Sequence, residues 1–163
     1  MPLPFRLRRA RFPDLDGLLL IEKEVFRREP FTRSQMASLL RSKSSRTTLA
    51  VCQGEPAGFI AVAWRKGAST CRIVNLAVRR RYRGYGIGGA LIRSALESGR
   101  RGRFRGVTLE VEVKNRRARF LYEQIGFGVD RRLPHYYEKG RHGLRYVCWF
   151  AARKGHPAEN AGR

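Results

Sequence analysis

Apolar and polar positions follow two rhythms along this 163-residue chain. From Phe5 to Arg9 apolar and charged residues alternate, the period of a half-buried strand. Pro13 and Asp14 then open a helical pattern through about Phe26, with Leu15, Leu18, Leu19 and Val25 inward and Pro30 as its breaker. Thr32 is placed to cap a second short helix carrying Met36, Leu39 and Leu40. Thr48–Cys52 and Ala57–Trp64 read as strands joined at Gln53-Gly54-Glu55-Pro56, a hairpin signal. Cys71–Val78 is the next strand. After a glycine-rich turn, Ala90, Leu91, Ile92, Ala95 and Leu96 mark the apolar face of a helix reaching about Glu97.

Residues 99–106 form an Arg/Gly turn. Strict alternation then returns, with Val107, Leu109, Val111 and Val113 on one face and Thr108, Glu110 and Glu112 on the other. Asn115 precedes a helix over Arg116–Ile125, with Ala118, Leu121, Tyr122 and Ile125 inward and Gly126 as its C-cap. Phe127–Arg132 and Arg145–Phe150 are expected to pair as closing strands. These elements predict one domain over residues 1–150 and a polar, disordered basic tail over 151–163.

Composition narrows the function classes. No apolar run approaches the roughly 18–20 residues that span a membrane, and the basic start lacks the apolar centre of a secretory signal. Cys52, Cys71 and Cys148 are widely spaced and sit in apolar strands, so buried free thiols and a cytoplasmic setting are expected. Neither they nor His135, His142 and His156 have metal-ligand spacing, and no metal is expected. The net charge of +22, from 35 Lys and Arg against 13 Asp and Glu, concerns partners. It suits association with RNA or a ribosome through phosphate contacts, and equally a compositional bias around a polyanionic cofactor.

Candidate chemistry concentrates between Leu76 and Glu97, where a strand runs into the turn Arg83-Gly84-Tyr85-Gly86-Ile87-Gly88-Gly89 and then a helix. The first amides of a helix lack intrahelical partners and its dipole favours negative charge there, so a pyrophosphate suits the site. No Lys-Ser or Lys-Thr follows the glycines, which excludes a P-loop. A dinucleotide fold would place such a turn in an early βαβ unit, whereas this one follows several apparently antiparallel strands.

Arg83, Gly86 and Gly88 instead give R-x-x-G-x-G, which resembles the acetyl-CoA loop of the GNAT N-acetyltransferases. Asn115, Ala118, Tyr122, Gly126 and Phe127 resemble a second, more specific run of that family. With Leu109-Glu110-Val111, the likeness extends over about residues 5–150 and is strongest to bacterial ribosomal-protein-alanine N-acetyltransferases. It implies an α/β (α+β) acyl-CoA N-acyltransferase fold: a mixed, mostly antiparallel sheet with helices on both faces, splayed where the strands ending at Val78 and Val113 diverge. It also implies acetyl-CoA as cosubstrate and a protein N-terminal α-amine, with a ribosomal protein as the specific expectation, as acceptor partner.

By the same resemblance, main-chain groups of Leu76, Ala77 and Val78 would hold the pantetheine arm. Gly84, Tyr85, Gly86, Ile87, Gly88 and Gly89 would hold the pyrophosphate with Arg83, and Asn115 would contact the cofactor or cap its helix. Glu110 would be general base, with Glu112 a competitor of the same strand parity, and Tyr122 would protonate the thiolate. The stretch His135-Tyr136-Tyr137-Glu138-Lys139-Gly140 resembles a loop that covers the acceptor, as residues 26–31 would line its channel. Lys139, Arg141 and His142 follow where relatives often carry acids, giving a basic mouth that favours acidic acceptors or an N-terminus on an RNA-rich particle. A Lys side chain, a polyamine or an aminoglycoside remain alternative acceptors. A basic RNA-associated binding module is the non-enzymatic alternative.

Overall fold

The computed structural model describes residues 2–151. The disordered tail expected over 151–163 therefore lies, but for Ala151, outside the described residues. Seven strands form one sheet in the order β1-β2-β3-β4-β5-β7-β6. They are β1 (Phe5–Arg9), β2 (Ser45–Cys52), β3 (Glu55–Ala63), β4 (Thr70–Val78), β5 (Gly106–Glu112), β6 (Gly128–Glu138) and β7 (Arg141–Trp149). The helices are α1 (Leu15–Val25), α2 (Arg33–Arg41), α3 (Ile87–Arg101) and α4 (Arg116–Ile125). Neighbouring strands are antiparallel except β4 and β5.

Each face of the sheet buries its own core. On one, Leu15, Leu18 and Ile21 of α1 and Met36 of α2 pack against Leu49, Val51, Phe59 and Ala77. On the other, Ile87, Leu91, Ile92, Ala95 and Leu96 of α3 and Tyr122 of α4 cover Ile60, Val62, Ile73, Leu109 and Tyr146. Local chemistry sets the ends of these elements. Gln53 and Gly54 both have positive φ (51° and 78°), so the β2–β3 turn needs two residues rather than the four expected. Thr32 caps α2 by accepting from the Gln35 amide, and Gly126 ends α4 at φ 114°. Helix α1 stops at Val25, well before Pro30, because Phe26 is already extended.

Two features position the cleft. Residue Ala61 pairs with Asn75 while Val62 pairs with Ile73, so Val74 is an inserted residue in β4. Such a bulge resets which face each later side chain takes. Asn75 and Ala77 thereby point toward α1, and Leu76 and Val78 pack on the α3 side. In addition, β4 and β5 pair only at Thr70–Gly106, Cys71–Val107 and Arg72–Thr108. Beyond those rungs each strand keeps its outer neighbour and the two part. The splay expected between the strands ending at Val78 and Val113 is present.

The closing strands differ most from expectation. They run over Gly128–Glu138 and Arg141–Trp149, so the supposed loop 135–140 is mostly strand, with its turn at Lys139-Gly140. Sequence pattern missed this because β6 is an edge strand exposed on both sides and has no apolar alternation to read. Similarly, α3 continues to Arg101, four residues past the expected end.

Candidate active site

The β4–α3 turn is built for its main chain. Gly84 and Gly86 have φ of +85° and +83°, a region closed to most side chains. A Cβ at either position would meet nothing within 4 Å, so conformation rather than crowding demands glycine there. The first closed turn of α3 runs from the Ala90 amide to the Gly86 carbonyl at 3.0 Å. Helix geometry thus leaves the Ile87, Gly88 and Gly89 amides pointing out of the helix start. The Arg83 Nε donates to the Val78 carbonyl at 3.0 Å, tying the turn to the end of β4. Burial, with Arg117 and Arg80 nearby, lowers the Arg83 pKa. Guanidinium charge thus collects around this turn with no carboxylate bonded to Arg83 among the described contacts.

Tyr122 lies across the splay on α4. Its ring is 8% exposed and packs edge-on to Phe127 with centroids 5.8 Å apart. Burial pushes its hydroxyl up to about 12, which keeps it protonated at neutral pH. Asn115 caps α4, its side chain accepting from the Ala118 amide at 3.2 Å.

Glu110 and Glu112 leave the same face of β5, as their parity requires, but neither is an isolated carboxylate. The Glu110 side chain is 3% exposed. Arg145, directly opposite on β7, donates from Nε and Nη2 to Oε1 at 3.1 and 2.9 Å. Arg72 of β4 donates from Nε to Oε2 at 2.6 Å and from Nη2 to the Tyr136 hydroxyl at 3.2 Å. Arg141 holds Glu112 through two bonds, at 3.2 and 2.8 Å, and this pairing lowers the Glu112 pKa. Arg141 also reaches Glu138, which accepts from Arg28 at 3.0 Å. A chain of charges thus joins the segment after α1 to the β6–β7 hairpin.

The hairpin itself is shaped to sit over this row. The β6–β7 register shifts between Leu133 and Glu138, and within that interval His135 takes φ 53°. Tyr136 and Tyr137 lie over Gly143, where a Cβ would come 3.2 Å from Tyr136 Cβ and 3.3 Å from Tyr137 Cε2. Desolvation, reinforced by Tyr136, Glu110 and Glu112, pushes the Tyr137 hydroxyl up to about 12. A cavity of about 640 Å³ adjoins this wall, lined by Glu24, Phe26, Arg27, Arg28, Arg83 and Arg141 among others.

Sequence reasoning missed several of these groups. Arg72 and Arg145 carry no local signature, since strand pairing alone brings them to Glu110. Glu22 did have a signal, falling on the inner stripe of α1 with Leu15, Leu18 and Val25. It is 2% exposed and accepts from the Phe31 amide (2.9 Å) and Asn75 Nδ2 (2.8 Å), which joins the α1–α2 connection to β4. Burial raises its pKa.

Residues 12–127 match the acetyltransferase (GNAT) family. The chain belongs to that family. Solved acetyltransferases of this fold include acetyl-CoA complexes. The GNAT chain is 42% identical over 77 residues to N-alpha-acetyltransferase 30 of Xenopus laevis, a stretch covering 47% of this chain and 28% of that protein. It thus spans little more than a quarter of that relative's length. It is 30% identical over 145 residues to a Bacillus subtilis protein provisionally named a [ribosomal protein bS18]-alanine N-acetyltransferase, covering 88% and 93% of the two. The Escherichia coli ribosomal-protein-S18-alanine N-acetyltransferase structure superposes with a TM-score of 0.83 at 20% identity, covering 94% of this chain and 99% of that one.

Proposed function

We propose that this GNAT protein transfers an acetyl group from acetyl-CoA to a protein N-terminal α-amine, with a ribosomal protein as the specific acceptor. The observation that carries the reading is the gap between β4 and β5, flanked by the free amides of Ile87–Gly89 on one side and by Tyr122 and Glu110 on the other. These residues fit a long diphosphate thioester. Two glycines keep side chains away from the helix start, and the inner edge of β4 from Ile73 to Val78 has no strand partner on its β5 side among the described residues. Leu76, Ala77 and Val78 would bond the amides of the pantetheine arm, and Gly84 through Gly89 with Arg83 would bond the pyrophosphate. Asn115 would reach the cofactor from the start of α4. When bound, acetyl-CoA supplies the electrophilic carbonyl and the leaving thiolate, and the Val78 amide would polarise that carbonyl.

An α-amine at pH 7 needs about 1 kcal/mol to be present as free base, against about 4.6 kcal/mol for a lysine. Modest help therefore suffices. Glu110 takes one proton from the ammonium, directly or through water, and Tyr122 gives its proton to the departing sulfur as the C–N bond forms and the C–S bond breaks. The second amine proton returns to Tyr122 through water, and Glu110 releases its proton to solvent. The names of the relatives support the N-terminal acceptor.

Purified protein with labelled acetyl-CoA and a panel of N-terminal peptides, internal-lysine peptides and small amines tests the reading. Label on peptide α-amines is expected. Label confined to lysines, polyamines or aminoglycosides overturns the acceptor, and no heat of association with acetyl-CoA overturns the enzyme.

A further inference from the structure

Glu110 occupies an unusual position for a base that must accept a proton. Its side chain is 3% exposed, Oε1 is held by two N–H groups of Arg145, and Oε2 is held by Arg72. Both carboxylate oxygens are thus occupied by charge-assisted bonds, and neither has a free side turned to an incoming amine. The two clamps are not equivalent. Arg145 lies directly opposite in the β5–β7 register and is 31% exposed, whereas Arg72 is 48% exposed and reaches in from β4 across the mouth of the splay. Arg72 is the arm that a ligand entering the cleft meets.

The surroundings decide which ligand would move it. Carboxylates of the cleft wall are already engaged: Glu24 with Arg79, Glu112 with Arg141, and Glu138 with Arg28 and Arg141. Arg27, Arg80 and Arg83 line the adjoining cavity as well. An incoming carboxylate meets surplus positive charge, and an incoming cationic side chain meets, in the cavity lining, only Glu24, already paired with Arg79.

We propose that Arg72 makes transfer selective for acidic acceptors: a carboxylate within the acceptor's first two residues draws the Arg72 guanidinium off Glu110 Oε2 and frees that oxygen to take the amine proton. Arg72 is thus a positioning residue, and the selectivity appears in turnover as well as in binding. The inference rests on the N-terminal acceptor and on Glu110 as base. A neutral or basic peptide leaves the clamp closed. The chemistry is otherwise as above, with the same bonds made and broken and the same final proton acceptor.

The test uses matched peptides beginning Ala-Asp, Ala-Asn and Ala-Lys, and Asp-Ala with Asn-Ala, on wild-type protein, Arg72→Gln and Arg72→Lys. Wild type is expected to favour each Asp peptide over its Asn twin about tenfold in kcat/KM, with most of the difference in kcat. Arg72→Gln is expected to bring the twins within about twofold by raising kcat for the Asn peptide, while Arg72→Lys keeps part of the preference. If Arg72→Gln slows both twins together and leaves their ratio intact, the residue is merely structural and the inference fails. Peptide activity indifferent to charge overturns this inference alone. A protein that acetylates no peptide α-amine overturns the N-terminal reading and this inference together.

Discussion

The two walls of the cleft are made of different material. The β4–α3 turn presents main-chain amides, with Gly84 and Gly86 keeping side chains out of the way. The opposite wall, formed by the segment after α1, the face of β5 and the β6–β7 hairpin, presents side chains bound in a chain of ion pairs from Arg28 to Glu112. A site made of backbone is set by a few consecutive residues and serves any ligand with a matching diphosphate. A site made of side chains is set by residues far apart in sequence and can change its preference one residue at a time. One fold can thereby keep a constant donor and vary the acceptor.

The largest effect that would sharpen this division belongs to Tyr122. Tyr122→Phe is expected to lower kcat at least about a hundredfold while the acetyl-CoA dissociation constant moves less than about threefold. Stopped assays with parallel calorimetry would measure both, and unchanged turnover would remove Tyr122 from the proton path. Next comes the choice between neighbouring carboxylates. Glu110→Gln is expected to cost on the order of fiftyfold in kcat and Glu112→Gln less than about fivefold, because Glu110 reaches β4 across the splay through Arg72 whereas Glu112 faces Arg141 on the β6–β7 hairpin. The reverse order in a peptide assay would move the base two residues along β5.

On the main-chain wall, Gly86→Ala is expected to weaken acetyl-CoA about tenfold by calorimetry, since a left-handed alanine costs about 1–2 kcal/mol. Its KM for peptide should stay within about twofold. A peptide KM that rises with the cofactor constant would show the walls to be coupled. The smallest effect concerns Glu22, which ties the α1–α2 connection to Asn75. Burial raises its pKa, so the folded state holds the proton more tightly than the unfolded chain. That contribution is complete below the unfolded value of about 4.3 and is lost as pH rises through the raised folded value. Glu22→Gln removes the loss, so the difference in Tm, variant minus wild type, should become more positive by on the order of 2 °C between pH 4.5 and 7.5.

The same division explains what could be read from the chain. The glycine turn, the Asn115 cap, Tyr122 on the inner face of α4 and the shared parity of Glu110 and Glu112 are all local, so spacing alone locates them. The length of β6 was not legible, because an edge strand exposed on both faces carries no burial rhythm. Nor were the partners of Glu110. Arg72 and Arg145 stand 38 and 35 positions away, and only the strand order β4-β5-β7 brings them to it. The charges after the Tyr136-Tyr137 pair suggested a basic mouth, and Arg141 does line the cavity. Its guanidinium is nevertheless spent on Glu112 and Glu138, so the surplus charge comes from arginines elsewhere along the chain.

Past its three rungs with β5, the inner margin of β4 is a strand border inside the sheet. Any exposed border of this kind solicits another strand, whether from a neighbouring molecule or from a peptide in solution. A pantetheine arm laid along Leu76–Val78 would occupy that border as a strand does, so the donor molecule would protect the chain as well as feed it. Freshly prepared protein should accordingly stay monodisperse longer with acetyl-CoA present than without it.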